Sequence, residues 1–284
     1  MKKIFLILGS NGQLGSKLTN YLKLKKKFNV KTVAKKNADY CLNLENFTRI
    51  EKIIKTNNYT YVVNCAAYTN LDYCEKNYKK ITKINSYLPK KLSQWSIKYN
   101  FKFVHISTDH IYISKKNIYN TEKSRIGWCN KYSKSKFLAE KFMKKSSNLL
   151  IIRTNFMENK KNKKSFLYWL DQCIKYKKEI KLFKDMYTST IDLNCFIKIL
   201  LKLIIKDSNG IFNIGSKNKT SKANFAKIYL KKIKSNPKIK LVNTNEFYYT
   251  NTFRGTFLGL DVKKIEKKLN LKMPDVKQVI NNLI

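Results

Sequence analysis

Three glycines at three-residue spacing, Gly9, Gly12 and Gly15, follow directly on the apolar run Ile4-Phe5-Leu6-Ile7-Leu8. The chain holds only eight glycines, so their crowding here needs a cause. The apolar run has the length and character of a parallel strand buried on both faces. A tight turn from that strand into a helix needs backbone freedom at Gly9. A pyrophosphate approaching the backbone needs no Cβ at Gly12, and close helix–strand packing needs none at Gly15. The first N–H groups of the following helix would then face phosphate oxygens. A glycine-rich loop without a ligand is the alternative reading of the triplet.

The rest of the N-terminal half alternates strands and helices, the pattern of a doubly wound parallel sheet. A helix is predicted over 14–24 and a strand over 30–34, ending in Lys35-Lys36. At that strand end an acidic residue would bond the ribose 2′-OH, whereas a basic one accommodates a 2′-phosphate. Lys35 and its neighbour therefore favour NADPH, with NADH as the other candidate. A helix over 47–56 leads to a strand at 61–65, closing on Ala66-Ala67, small residues over which a flat ligand can lie. A helical stretch over 73–99 carries Pro89, expected to kink or divide it. A strand over 101–106 ends in Ser107-Thr108-Asp109, a helix covers 132–146, and a strand follows at 149–152. Beyond Thr154 come a lysine- and asparagine-rich loop (159–164) and helical periodicity at 166–176, 195–205, 225–233 and 262–269. A last helix follows Pro274-Asp275.

The expected architecture is an α/β Rossmann domain over 1–155 and a smaller, interwoven C-terminal substrate-binding lobe over 156–284. The segment 210–215 is expected to rejoin the main sheet as a strand.

A formal charge of +42 raises the question of nucleic-acid binding. Four residues, Arg49, Arg125, Arg153 and Arg254, are the only arginines, and the lysines are spread over the whole length. Bidentate phosphate and base recognition favours arginine on a clustered face, so no specific nucleic-acid partner is expected. The apolar stretch after Met1-Lys2-Lys3 is too short for a secretory signal, and no run is long enough to span a membrane. Six scattered cysteines without a CxxC pair point to free thiols in a reducing cytoplasm. The two histidines, His105 and His110, cannot form a histidine metal cluster, and no metal is expected. His105 reads as a packed strand residue.

Tyr132 and Lys136 stand four apart on a predicted helix and so share a face. An ammonium beside a phenol stabilises the phenolate and draws the tyrosine pKa below its usual value of about 10. That suits a general acid–base for carbonyl–alcohol interconversion. Thr108, at the C-terminal end of a parallel strand, supplies a hydroxyl where such sheets bind ligands. A tyrosine and a lysine at this spacing are also what a solvated helix face in a lysine-rich chain would show. The order of glycine turn, Ser-Thr-Asp and Tyr-x-x-x-Lys is more specific than any one part.

These blocks resemble those of the extended short-chain dehydrogenase/reductases, and among them the dTDP-4-dehydrorhamnose reductases. The matching stretches are GSNGQLG (9–15), VVNCAAYTNLD (62–72), HISTDHIY (105–112) and YSKSK (132–136), extended by IIRTNF (151–156), GIFNIGS (210–216) and FRGTFLGLD (253–261). The resemblance implies NAD(P)H-dependent reduction of the 4-keto group of a nucleotide-activated 6-deoxysugar, giving dTDP-L-rhamnose or a related sugar for surface polysaccharide. It assigns catalysis to Thr108, Tyr132 and Lys136, with Thr108 orienting the substrate ketone, Tyr132 also beside the cofactor and Lys136 also holding its nicotinamide ribose. Gly12, Gln13 and Leu14 would cradle the pyrophosphate, Asn43 and Leu44 would lie by the adenine, and Gly9, Asn11, Ala66, Ala67, Tyr68 and Thr69 would line the cofactor. Asp109 and Phe156 match sugar-contacting positions, and Arg254 is placed to meet the diphosphate. A homodimer is among the assemblies the resemblance allows. The alternatives are another nucleotide-sugar epimerase or reductase of the superfamily, or a non-catalytic NADP-binding regulatory subunit.

The chain departs from the family's pattern at several positions, most of them around the sugar. His110 stands where the family has Tyr, an Asp-Gly that normally follows is missing, and Phe156 replaces Trp. Asn43 replaces an Asp near the adenine, and the Pro of a Pro-Thr step is missing near Ser189-Thr190-Ile191. The Thr108–Tyr132–Lys136 set is intact.

Overall fold

Unbroken apolar runs form the middle of one sheet in the computed structural model of the protein, which describes residues 2–115, 118–143, 148–160, 163, 165–246 and 252–284. The strands are β1 (Lys3–Leu8), β2 (Phe28–Ala34), β3 (Tyr40–Cys41), β4 (Tyr61–Asn64), β5 (Lys102–Ile106) and β6 (Leu149–Thr154). With a further strand, Gly210–Ile214, they lie in the order Gly210–Ile214, β6, β5, β4, β1, β2, β3. From β3 to β6 every pairing is parallel. Such strands are covered on both faces, and the side chains of Phe5 to Leu8, Val62, Val63, Phe103, Val104, Leu150 and Ile152 are fully buried. At roughly 1.5–3 kcal/mol for each large apolar side chain removed from water, these strands dominate the apolar contribution to the sheet.

The strand order reverses at β1, which has β2 on one side and β4 on the other. Ligands of open parallel sheets bind outside the carboxyl ends of the strands at this point. Here those ends are Leu8-Gly9 and Asn64-Cys65.

The chain divides into two compact units. The first comprises 1–107, 130–152 and 204–211. Its core joins Leu6, Leu8, Val33 and Val62 of the sheet to Ile50 and Ile54 of the helix Phe47–Lys55, and to Leu88, Leu92 and Trp95 of the helix Leu88–Lys98. The helical stretch expected over 73–99, with a kink or division at Pro89, is a series: Leu71–Lys76, Tyr78–Thr82, a π turn at Lys83–Tyr87, and Leu88–Lys98. Asn77 interrupts it first, with non-helical dihedrals. Pro89 then acts upstream of itself: its ring would press on the carbonyl of Asn85, and the wider π turn relieves that crowding.

The second unit comprises 108–129, 153–203 and 212–284. It holds short strand pairs, Ile180–Phe183 with Ile239–Val242 and Phe156–Met157 with Ile191–Asp192, among the helices Phe166–Lys175, Lys222–Lys232, Lys263–Leu269 and Val276–Leu283. A buried polar knot ties its separated segments. Arg153, 2% exposed, donates to the Tyr112 hydroxyl and to the Glu122 carbonyl, each at 3.0 Å. The Tyr112 hydroxyl donates to Asn213 Oδ1 at 2.8 Å, and Glu122 Oε1 accepts from the Asn213 amide at 2.9 Å. Asn120 Nδ2 reaches the carbonyls of Phe257 and Gly259, both at 2.9 Å. Of the loop 159–164, residues 161–162 and 164 lie outside the described residues, as does the end of the helix expected over 132–146, at 144–146.

Candidate active site

The turn after β1 is built on absent side chains. Gly9 has φ +77°, and a Cβ there would lie 2.8 Å from the Ala66 backbone at the end of β4. A Cβ on Gly15 would collide with the Gly9 carbonyl. The helix Gln13–Lys23 therefore starts hard against the turn, with the Gly12 amide donating to the Gly9 carbonyl at 3.0 Å. Its N-cap, Gly12, has no side chain to cap it, and its first turn carries no acid. Its positive end is left for an anion.

Beside it lies a cavity of about 380 Å³. Gly9, Asn11, Gly12, Lys35, Asn43, Leu44, Ala66, Ala67 and Tyr68 line it, together with Ala34, Lys36, Cys65 and Ile84. Of the residues expected to hold a cofactor, Gln13, Leu14, Thr69, Tyr132 and Lys136 are not in that lining; Leu14 is buried beneath the turn. Lys36 and Cys65 adjoin expected residues in sequence, whereas nothing in the sequence marks Ile84, which the π turn carries. Burial pushes the Cys65 thiol up to about 12, so it stays protonated and inert. Asn85, also on the π turn, grips the Tyr68 backbone and donates to Ser135 Oγ at 2.9 Å.

Tyr132 and Lys136 sit on the helix Lys131–Phe142, in the first unit. Asn130 and Ser133 form a reciprocal capping box at its start. Glu75 accepts from the Lys131 amide at 2.7 Å and so compensates the positive end of this helix. The middle of the helix is clamped: Ser86 Oγ donates to the Ser135 carbonyl at 2.7 Å. Tyr132 is 9% exposed and Lys136 1%. The Lys136 ammonium donates to the Ile106 carbonyl at 2.7 Å and lies 3.1 Å from His105 Nε2. Burial pulls the Lys136 pKa down to about 8, with the Glu140 charge opposing. Ser107 Oγ donates to that Glu140 at 2.6 Å.

Thr108 opens the second unit, one peptide bond beyond Ser107. It caps a short 3-10 turn, its Oγ1 accepting from the His110 amide at 3.2 Å and donating to Asp109 Oδ1 at 3.3 Å. Asp109 is fully buried and accepts from Asn155 Nδ2 at 3.0 Å. Burial raises its pKa, against the pull of His110, Asn155 and Lys222. His110 Nε2 lies 4.0 Å from Asp109 Oδ1; burial lowers its pKa while Asp109 opposes. Lys222, at the start of the helix Lys222–Lys232, also has its pKa lowered by burial, with Asp109 opposing and Arg254 adding to the shift. Arg254 lies over the Phe183 ring, 5.9 Å from its centroid, and Phe156 packs on Phe196 at 5.3 Å. Asp109, His110, Lys222 and Arg254 thus share one electrostatic environment. Lys222 was not singled out from the sequence, where one lysine among so many carries no signal. Among the described residues no group of three or more His, Cys, Asp or Glu could hold a metal ion, and no helix is long and apolar enough to cross a membrane.

Residues 1–284 match the family described as the RmlD substrate binding domain. The chain is 26% identical over 263 residues to the spore coat polysaccharide biosynthesis protein SpsK of Bacillus subtilis, covering 92% of this chain and 90% of that one. It is 23% identical over 182 residues to the probable low-salt glycan biosynthesis reductase Agl14 of Haloferax volcanii, covering 62% of this chain and 61% of that relative's length. In structure it is similar to the dTDP-4-dehydrorhamnose reductase of Bacillus anthracis in complex with NADP, with a TM-score of 0.90 at 22% identity, covering 100% of this chain and 99% of that one.

Proposed function

The chain belongs to the RmlD substrate binding domain family, and from that premise we propose that it reduces the 4-keto group of a nucleotide-activated 6-deoxysugar, as a dTDP-4-dehydrorhamnose reductase does. The observation that carries this reading is the cavity at the carboxyl ends of β1 and β4. A glycine floor, an uncapped helix N-terminus and the Lys35-Lys36 pair border one surface of dinucleotide chemistry. The residues present fit NADPH. Gly12 and the first turn of Gln13–Lys23 would receive the pyrophosphate, Lys35 the 2′-phosphate, and Asn43 and Leu44 the adenine. NADPH, when bound, supplies the hydride.

The chain's own residues do the rest. Tyr132 would protonate the new alkoxide oxygen, and the Lys136 ammonium would stabilise the phenolate left behind. Thr108 would orient the ketone through its hydroxyl. Its proton points at Asp109, so the substrate oxygen would compete with a carboxylate for it. Arg254, with Lys222 beside it in the electrostatic sense, suits a diphosphate, and the Phe156 ring suits the apolar face of a deoxysugar. The relatives named for spore-coat polysaccharide and glycan synthesis support a surface-sugar role. Six free cysteines suit a reducing cytoplasm.

The test follows NADPH and NADH oxidation by absorbance with dTDP-4-dehydrorhamnose generated in situ. The expected result is turnover that Tyr132→Phe abolishes, with cofactor affinity within a few fold of the parent. Cofactor binding without turnover would instead favour a non-catalytic subunit, and full activity in Tyr132→Phe would remove the assigned mechanism.

A further inference from the structure

Lys136 is held from two sides by one strand. Its ammonium meets the Ile106 carbonyl at 2.7 Å and His105 Nε2 at 3.1 Å, and both partners belong to β5. Lys136 and His105 are each almost wholly buried, at 1% and 0% exposure. An ammonium has three N–H donors in tetrahedral directions. Fixing two of them fixes the direction of the third.

His105 can accept from an ammonium only as a neutral ring with its proton on Nδ1. Burial first, and the Lys136 charge second, hold its pKa well below the usual value. On the far side of the ring, Nδ1 lies 3.5 Å from Asn64 Nδ2, whose Oδ1 is taken by the Ala66 amide at 3.1 Å. A neutral contact at that length is weak beside a charge-assisted bond at 3.1 Å, so the lysine sets the tautomer.

We propose that His105 is a positioning residue: with the Ile106 carbonyl it aims the Lys136 ammonium, leaving the third N–H for the ligand while the charge itself acts on Tyr132. This rests on the reductase reading, in which Lys136 supports Tyr132 and the nicotinamide ribose. The titratable groups acting on Lys136 are Glu140, one turn after it on its own helix, and His105 from β5; Tyr132 stands one turn before it on the same helix. Glu140 holds the charge on the lysine, burial works against it, and His105 supplies an acceptor without a competing charge. Without that acceptor the buried ammonium has one partner fewer and gives up its proton at lower pH.

Two measurements test this. Nitrogen-15 NMR of the intact protein at neutral pH is expected to show His105 neutral, with Nε2 unprotonated; the chain has two histidines, and His110→Asn assigns the spectrum. A proton on Nε2 overturns the proposal, whether or not any keto-sugar is turned over. The second measurement is the pH profile of kcat. His105→Phe keeps a ring but removes the acceptor, and is expected to move the alkaline limb down by about one unit and lower kcat about tenfold. His105→Gln, which can offer an oxygen near the place of Nε2, is expected to stay within about twofold of the parent. A folded His105→Phe with an unmoved profile overturns the positioning role, and if that variant does not fold, the tautomer decides. Absence of turnover in the parent removes the reductase reading alone.

Discussion

The amide of Tyr68 donates to Asn85 Oδ1 at 2.8 Å, and the Tyr68 carbonyl accepts from Nδ2 of the same side chain at 2.9 Å. One buried amide thus satisfies both backbone groups of a residue in the cavity wall, as a strand neighbour would. It also ties that wall to Ser135, one residue before Lys136.

Asn85→Ala removes three hydrogen bonds and takes the partner from the half-buried Tyr68 amide, leaving its carbonyl only the weak Cys74 thiol, which costs about 2–4 kcal/mol. The expected result is a lower denaturation midpoint in urea together with weaker NADPH binding. A loss below about 1 kcal/mol would show that water replaces the amide.

Gly12 and Gly15 separate fold from ligand. A Cβ on Gly12 meets only the Gly9 carbonyl, at 3.2 Å, whereas one on Gly15 overlaps it. Gly15→Ala is expected to lower stability by about 1–3 kcal/mol. Gly12→Ala is expected to melt close to the parent yet bind NADPH at least about tenfold more weakly, since its methyl group stands where the phosphates approach. Fluorescence titration and thermal melts distinguish the two, and equal effects from both substitutions would refute the assignment.

Lys35 and Lys36 both border the cavity. A charge-assisted phosphate contact contributes about 1.5–3 kcal/mol, so Lys35→Glu with Lys36→Glu is expected to raise KM for NADPH about tenfold or more. KM for NADH is expected to change less than about threefold. Steady-state kinetics with both cofactors decide this, and a parallel loss with NADH would place the 2′-phosphate elsewhere.

Lys136 makes stability depend on pH. Its folded pKa of about 8 lies below the unfolded value of 10.5. Between those values the unfolded chain binds more protons, so stability rises with pH across that window. Lys136→Met removes the buried charge and is expected to be more stable than the parent at neutral pH, by on the order of 2 kcal/mol. The gap should narrow as pH climbs toward 10.5. Denaturation at neutral and alkaline pH reads it directly, and a gap that stays constant would mean that the charge is not what separates them.

The parallel sheet was legible because β1, β4 and β6 are buried on both faces and therefore read as unbroken apolar runs. The turn after β1 was legible because only glycine tolerates its close approaches. Helix ends were found within a few residues where a polar cap preceded an apolar face, as at Asn46 and Asp275. The division of the stretch 73–99 was less so: Pro89 announced a disturbance but not a π turn placed before it. His105 read as packing because its contact with Lys136 joins residues 31 positions apart, and no local pattern records that. Lys222 and Asn85 were invisible for related reasons. One is a lysine in a lysine-rich chain, and the other is an asparagine whose partners lie on other segments.

Each compact unit is stitched from three separated stretches, and this governs when each can form during synthesis. The first unit lacks a piece until Ile211 has emerged. The second lacks a partner until Phe257 has emerged, since Asn120 bonds its carbonyl 137 residues further on. Thr108, Asp109 and Asn120, polar side chains destined for burial, must therefore remain solvated until that later stretch arrives. Contacts of such long separation form slowly, so closure of the second unit lags far behind the emergence of its first stretch.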